Sequence, residues 1–216
     1  TDYRKETRAS KRDDAFPQRL PKSLEESILC FVLAIAVRDS RKSSQIASSL
    51  YEPHNTMLVH ISRFTTWQNK TRDLVDLFVN DVKLRLQNDN PKEVGSIYLE
   101  LEDVWNRHFQ NLVSNVRTYL PEGYVDEFMA PIAFEVIRKY LPTSVDGIDV
   151  YAINSTTDQK LEYSDQQPRK IVAVGGNRLS RGFTVRGLTI NYFTRSTNYS
   201  DTLLQMGRWF GYRPGY

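Results

Sequence analysis

The sequence holds a single cysteine, Cys30, so no disulfide can form within the chain. Its place in the apolar run "ILCFVLAIAV" predicts a buried, reduced thiol and a cytoplasmic protein. The three histidines, His54, His60 and His108, lack the paired spacing of a zinc site, and no metal site is expected. The apolar run covers only residues 28–37, too few to cross a bilayer, so it predicts a buried helix and no membrane partner. A phosphate-cradling G-x-x-x-x-G-K-[ST] loop is absent, and no acidic box follows a strand-like run. Without that loop and without magnesium ligands, such a chain does not organise ATP alone. Strong charge is lacking too. A net charge of +3 permits a nucleic-acid partner without arguing for one.

What is present fits a globular chain: 216 residues, 40% hydrophobic and 25% charged, enough for one large domain or two small ones. Residues 1–20 are charge-rich with little apolar periodicity and read as a connector or arm. The start at Thr1 and the close just past "QMGRWFGYR" predict a piece of a longer protein. Ser23 with Glu26 reads as a capping box opening a helix, with Leu24, Ile28, Phe31, Val32 and Ile35 on one face. "SRKSSQIASSLYEPHN" then reads as a polar loop.

"TMLVHIS" (56–62) predicts a buried strand, followed by a helix over about 66–87 with Leu74, Phe78, Val82 and Leu86 on one stripe. Residues 91–142 predict two or three helices, with Trp105, Phe109, Leu112 and Val116 sharing a face. "IDVYAIN" (148–154), "KIVAVGG" (170–176) and "LTINYF" (188–193) predict three more strands, and "SDTLLQMGRWF" a helix capped by Ser200 or Asp201. Buried strands alternating with helices argue for an α/β fold with a parallel sheet.

Ligands of such sheets sit off the carboxyl ends of the strands. The stretch "VAVGGNRLSRGFTVRGLT" runs from a strand into Gly175 and Gly176, then into a loop holding Asn177, Ser180, Arg181 and Gly182. Arg208 and Arg213 flank Gly211 near the chain's end, and an arginine's planar, permanently charged fork suits phosphate.

"SRGFT" resembles motif V of superfamily-two helicases, and "QMGRWFGYR" resembles their motif VI, Gln-x-x-Gly-Arg-x-Gly-Arg. Over about residues 20–216 the chain is more similar still to the Z-one domain family, which carries an endonuclease label and accompanies such helicases in restriction-like and defence systems. The blocks "LPKSLEESILCFVLA", "HNTMLVHISRFTTWQN", "VGGNRLSRGFTVRGLTINYF" and "DTLLQMGRWFGYRPGY" carry that resemblance.

The resemblance implies a RecA-like parallel sheet covered by helices over 21–216, with an N-terminal helix and an all-helical insertion at about 91–142. It implies the second lobe of an ATP-dependent DNA motor, with ATP and magnesium held mainly by an N-terminal ATPase lobe of the same parent protein. DNA and defence-system proteins are the further implied partners. Arg181, Gly182, Thr184 and Gly207 would face nucleotide. Gln205, Arg208 and Arg213 would take the catalytic motif VI positions, one arginine serving as finger to the γ-phosphate. His60, Ser62, Arg63, Asn177 and Ser180 would lie against nucleic acid.

Two departures stand out. Thr184 replaces the usual motif V aspartate, and five positions separate Arg208 from Arg213, more than in the helicase motif. Two other readings stay open. One is a non-catalytic DNA-binding or assembly module. The other is an endonuclease using Asp149, Asp158 and Lys160, although Asp158 falls in a turn-like stretch.

Overall fold

A computed structural model describes residues 16–124, 126, 128, 130–157, 161–176, 179 and 184–194. Its strands are β1 (Asn55–His60), β2 (Ile148–Ile153), β3 (Lys170–Gly175) and β4 (Leu188–Phe193). They form one sheet in the order β2-β3-β1-β4, and every pair is parallel. The helices are α1 (Lys22–Ala47), α2 (Thr65–Asn88), α3 (Ile97–His108), α4 (Gln110–Tyr119), and the short α5 (Phe134–Ile137) and α6 (Leu141–Val145). The fold is α/β, a parallel sheet flanked by helices. Helices α2 to α6 all fall between β1 and β2 in the chain.

The strand sequences explain their places. All six residues of β1 are buried, because it has a neighbour on each side and cover on both faces. Its sequence accordingly shows no polar–apolar alternation. At the sheet's edge, β4 is only half-buried after Leu188.

The described residues form two compact units. The first takes in residues 16–27, 52–79 and 147–194, and the second residues 28–51 and 80–146. In the first unit, Leu58, Ile153, Ile171, Ala173 and Leu188 from the sheet pack with Leu161, Leu179 and Val185. Trp67, 1% exposed, sits edge-on to Phe16 and Phe64, at ring separations of 4.5 and 5.0 Å. In the second unit, α3 buries Ile97, Tyr98, Leu101, Val104 and Trp105. The Tyr98 hydroxyl donates to the Leu86 carbonyl (2.7 Å), and the Asp89 carboxylate accepts from the Ile97 N–H (2.8 Å).

Several expectations are corrected. Helix α1 continues through the polar stretch to Ala47 and stops in a motif in which Leu50 N–H donates to Gln45 C=O and Ser49 N–H to Ile46 C=O. Ser49 takes the left-handed position there (φ 57°), where glycine is the usual occupant. At its other end α1 opens on the Pro21 carbonyl, which accepts from Leu24 and Glu25. Ser23 therefore lies inside the helix rather than capping it, and its hydroxyl is 2.8 Å from the Tyr192 hydroxyl. The apolar run buries more than one face, Leu29, Leu33, Ala36 and Val37 included, while Cys30 is only half-buried.

On α2 the buried residues are Val75 and Val79, in phase with Trp67 and Thr71, with Val82 and Leu86 further along. Leu74 and Phe78 are half-exposed. The shared face of Trp105 and Leu112 does not form, because the backbone breaks at Phe109 (φ −114°, ψ −41°) and leaves Leu112 52% exposed. Phe109 instead stacks on Trp105, with centroids 5.3 Å apart.

Gly187, just before β4, has φ +63°, and a Cβ there would lie 1.8 Å from the His54 carbonyl oxygen. Gly95 also has positive φ, but open space surrounds it. Gly187→Ala is expected to cost about 3 kcal/mol or more and Gly95→Ala about 1–2 kcal/mol in urea unfolding. Equal costs would show that close approach at Gly187 does not constrain the fold.

Candidate functional site

Parallel strands deliver all their carboxyl ends to one edge. Here that edge comprises His60, Ile153, Gly175 and Phe193. Pairing continues beyond the strands. Ile61 N–H donates to Gly175 C=O (3.0 Å), and the Thr194 N–H and hydroxyl both donate to His60 C=O (3.1 Å each). The chain then turns through Ser62, Arg63 and Phe64 into the N-terminal end of α2, a helix of 24 residues.

That turn is anchored. The Ser62 hydroxyl accepts from Phe64 N–H (3.2 Å), and the Ser62 carbonyl accepts from Gln68 Nε2 (2.8 Å). Ser62 and Gln68 are each 3% exposed. Gly176 closes the other side, where a Cβ would stand 2.7 Å from Gln68 Nε2 and 2.8 Å from the Ser62 carbonyl oxygen. A side chain on Gly176 would push this turn apart. At the end of β2, Asn154 donates to Asn69 Oδ1 on α2 (2.8 Å) and accepts from the Thr156 N–H (2.9 Å) and hydroxyl (2.7 Å).

Arg63 is exposed at this edge. Its guanidinium lies 5.2 Å from the centre of the Phe64 ring, and no carboxylate among the described residues pairs with it. Arginines at the opposite, amino edge are neutralised. Arg186 binds Glu52 (3.0 Å) and Asp165 (2.6 Å). Arg169 binds Asp149 (3.1 Å) and the Tyr151 hydroxyl.

Between them lies His54, 0% exposed, whose Nδ1 accepts from Arg169 N–H (3.2 Å) and whose ring meets Tyr163 edge-on at 5.0 Å. Burial holds the His54 pKa below its ordinary 6.5, with Glu52 opposing that shift. Burial likewise raises the Tyr163 hydroxyl, which lies 3.1 Å from the Thr56 hydroxyl.

Of the residues the sequence singled out, His60, Ser62 and Arg63 come together at the carboxyl edge. His60 is 2% exposed against the Phe193 ring (5.3 Å), so of the three only Arg63 reaches the surface. Thr184 is exposed, two residues before Arg186, whose carbonyl accepts from Thr56 at the amino end of β1. Asn177, Ser180, Arg181, Gly182, Gln205, Gly207, Arg208 and Arg213 lie outside the described residues, as do Asp158, Lys160 and the closing helix. Asp149, from the nuclease reading, is held by Arg169 at the amino edge.

Gln68 and Asn154 were not anticipated. The available signal for Gln68 was an amide beside the apolar series Trp67, Val75 and Val79. Among the described residues, no group of three or more His, Cys, Asp or Glu side chains could hold a metal ion, and no helix is long and apolar enough to cross a membrane.

The family model of the Z1 (Z-one) domain matches residues 23–216, so the chain belongs to the Z1 domain family. No curated protein and no solved structure matches it.

The buried His54 links folding to pH. Its folded pKa lies below the unfolded value, so the unfolded state binds the proton first. Stability is complete above about pH 6.5 and falls as pH drops below that value, by at most about 1.4 kcal/mol per pH unit for one proton. His54→Asn, which keeps an acceptor for Arg169 N–H but cannot titrate, is expected to flatten that part of the slope. A parallel slope in wild type and variant, from urea midpoints at pH 5 to 8, would count against His54 as the linked group.

Proposed function

We propose that this Z1 domain is a nucleic-acid-gripping lobe of an ATP-driven DNA motor, corresponding to the second RecA-like lobe of superfamily-two helicases. The observation that carries the reading is the contrast between the two sheet edges. Arg169 and Arg186 are neutralised by acids, whereas exposed Arg63 has no acidic partner among the described residues. It also stands on an anchored turn at a helix N-terminus, where backbone N–H groups and the dipole favour an anion.

A phosphodiester resting there would meet the fork of Arg63 and the first turn of α2. Such contacts add affinity without reading sequence. The buried Ser62 and His60 shape the turn and the strand end beneath it.

ATP and magnesium belong in this reading to another lobe. The sequence has no phosphate-cradling loop, and the described residues offer no cluster of magnesium ligands. ATP would supply the free energy for movement along DNA. This chain's part would be to bring Arg208 and Arg213 to charge developing on the γ-phosphate, with Gln205 and Gly207 beside them. The assignment rests on the motif VI resemblance. The endonuclease reading gains no support from Asp149, whose carboxylate is engaged by Arg169.

Fluorescence anisotropy with labelled single-stranded DNA tests the grip. Binding is expected to weaken steadily with salt. Arg63→Ala should bind about 3- to 10-fold more weakly at low salt, with the salt slope reduced by about one ion and stability unchanged within about 0.5 kcal/mol. Undetectable binding at low salt, or wild-type binding by the variant, would reject the reading.

The chain alone is expected to turn over no ATP. In the parent protein, Arg208→Ala and Arg213→Ala should between them expose an arginine finger, with a loss of about 1,000-fold in ATPase rate for whichever serves. Full activity in both variants would remove the finger role from this chain.

A further inference from the structure

We infer that Gln68 is the positioning residue that presents Arg63 to nucleic acid. The inference rests on the strand-end reading above and adds a residue to it. Gln68 lies one turn into α2, is 3% exposed, and reaches back along its own helix so that Nε2 donates to the Ser62 carbonyl at 2.8 Å. That carbonyl belongs to the Ser62–Arg63 peptide. A peptide is planar, so holding its oxygen also sets the direction in which the chain enters Arg63. The second hold is local, with Phe64 N–H donating to the Ser62 hydroxyl at 3.2 Å. The third is steric. Gly176 leaves room for the amide, since a Cβ there would come within 2.7 Å of Nε2. Between them these contacts leave Arg63 the outward direction, its guanidinium over the Phe64 ring.

The other half of the amide argues that this is more than packing. Gln68 Oε1 is buried, and among the described residues nothing donates to it. A buried acceptor without a donor opposes folding. For stability alone an apolar side chain of the same length costs little, because losing the orphan oxygen offsets the donor that the Ser62 carbonyl gives up. What such a replacement cannot do is hold the Ser62 carbonyl.

The test is Gln68→Met, which conserves length and approximate volume, measured beside Arg63→Ala and the double variant. Gln68→Met should keep its urea midpoint close to wild type. It should also bind single-stranded DNA about 3- to 10-fold more weakly, with the salt slope lower by about one ion, as Arg63→Ala does. The double variant should bind no more weakly than Arg63→Ala alone, because both substitutions remove the same contact. Wild-type binding by Gln68→Met, or losses that multiply in the double variant, would overturn the inference. If Gln68→Met does not fold, Gln68→Leu supplies the same comparison, since leucine is uncharged, close in volume and cannot donate.

Amide hydrogen exchange separates this claim from the reading it rests on. Gln68→Met should speed exchange of Phe64 N–H about 10-fold or more while β1 and β3 stay protected. If the wild-type chain binds no DNA, the nucleic-acid reading fails and the exchange result alone judges the positioning. Unchanged protection at Phe64 would then refute it.

Discussion

Strand β1 has no free edge, and the arrangement of the first unit follows from that. Each of its backbone groups lies in a low-dielectric interior, where an unpaired N–H or C=O is costly. Two parallel neighbours must therefore run its full length. Their registers, Asn55 with Lys170 and His60 with both Gly175 and Phe193, fix what meets at each end of the sheet. At the carboxyl end, pairing through Ile61 brings Gly175 and Gly176 against the turn at Ser62. At the amino end, Thr56 N–H reaches the Gly187 carbonyl (2.8 Å), which forces Gly187 into contact with His54. Gly176 and Gly187, at opposite ends of the sheet, are thus required by the same strand for the same reason, lack of room beside a paired backbone.

Because the strands all point one way, the sheet has two chemically different ends, and the side chains separate accordingly. The amino end gathers Glu52, Asp149 and Asp165 around Arg169 and Arg186, with His54 and Tyr163 beneath. Ion pairs this exposed contribute little stability, about 0–1 kcal/mol each. Their larger effect is to cancel positive charge at one end of the sheet. At the other end Arg63 keeps its charge, beside the positive end of a long helix. Among the described residues, the two ends of the sheet thus differ in charge, a difference set by topology rather than by net charge.

The strands were legible because buried parallel strands have a simple signature, short β-branched runs such as "KIVAVG" and "TMLV" bounded by turn residues. Helix limits were less so. Helix α1 passes through Ser40, whose hydroxyl donates to the Val37 carbonyl (2.6 Å) and so tolerates a helical backbone, although serine-rich sequence reads as loop. On α2 the buried series begins at Trp67, which packs against Phe16 and Phe64, and that packing is not contained in the apolar periodicity.

For the site, the strand-end position of His60, Ser62 and Arg63 was visible from the run that precedes them. The division of labour among them was not, because it depends on burial by Phe193 and on Gln68 reaching backwards. The amino-end network was beyond sequence reading altogether, since Glu52, Asp165 and Arg186 are neighbours only once the sheet exists.

The order of strands in the sheet differs from their order in the chain, and that bears on how the protein is made. His54 waits for Arg169 across 115 residues, and His60 for Thr194 across 134. Contacts so distant in sequence slow folding, because loop closure must be completed before pairing compensates for it. During synthesis, at about 5–20 residues per second, β1 leaves the ribosome several seconds before either neighbour exists. Through that interval its six apolar-rich residues have two unpaired edges and a strong tendency to pair with whatever is near. Within its own unit, only the first turns of α2 follow it directly in the chain. The same central strand that organises the finished sheet is therefore the segment most in need of protection while the chain is still growing.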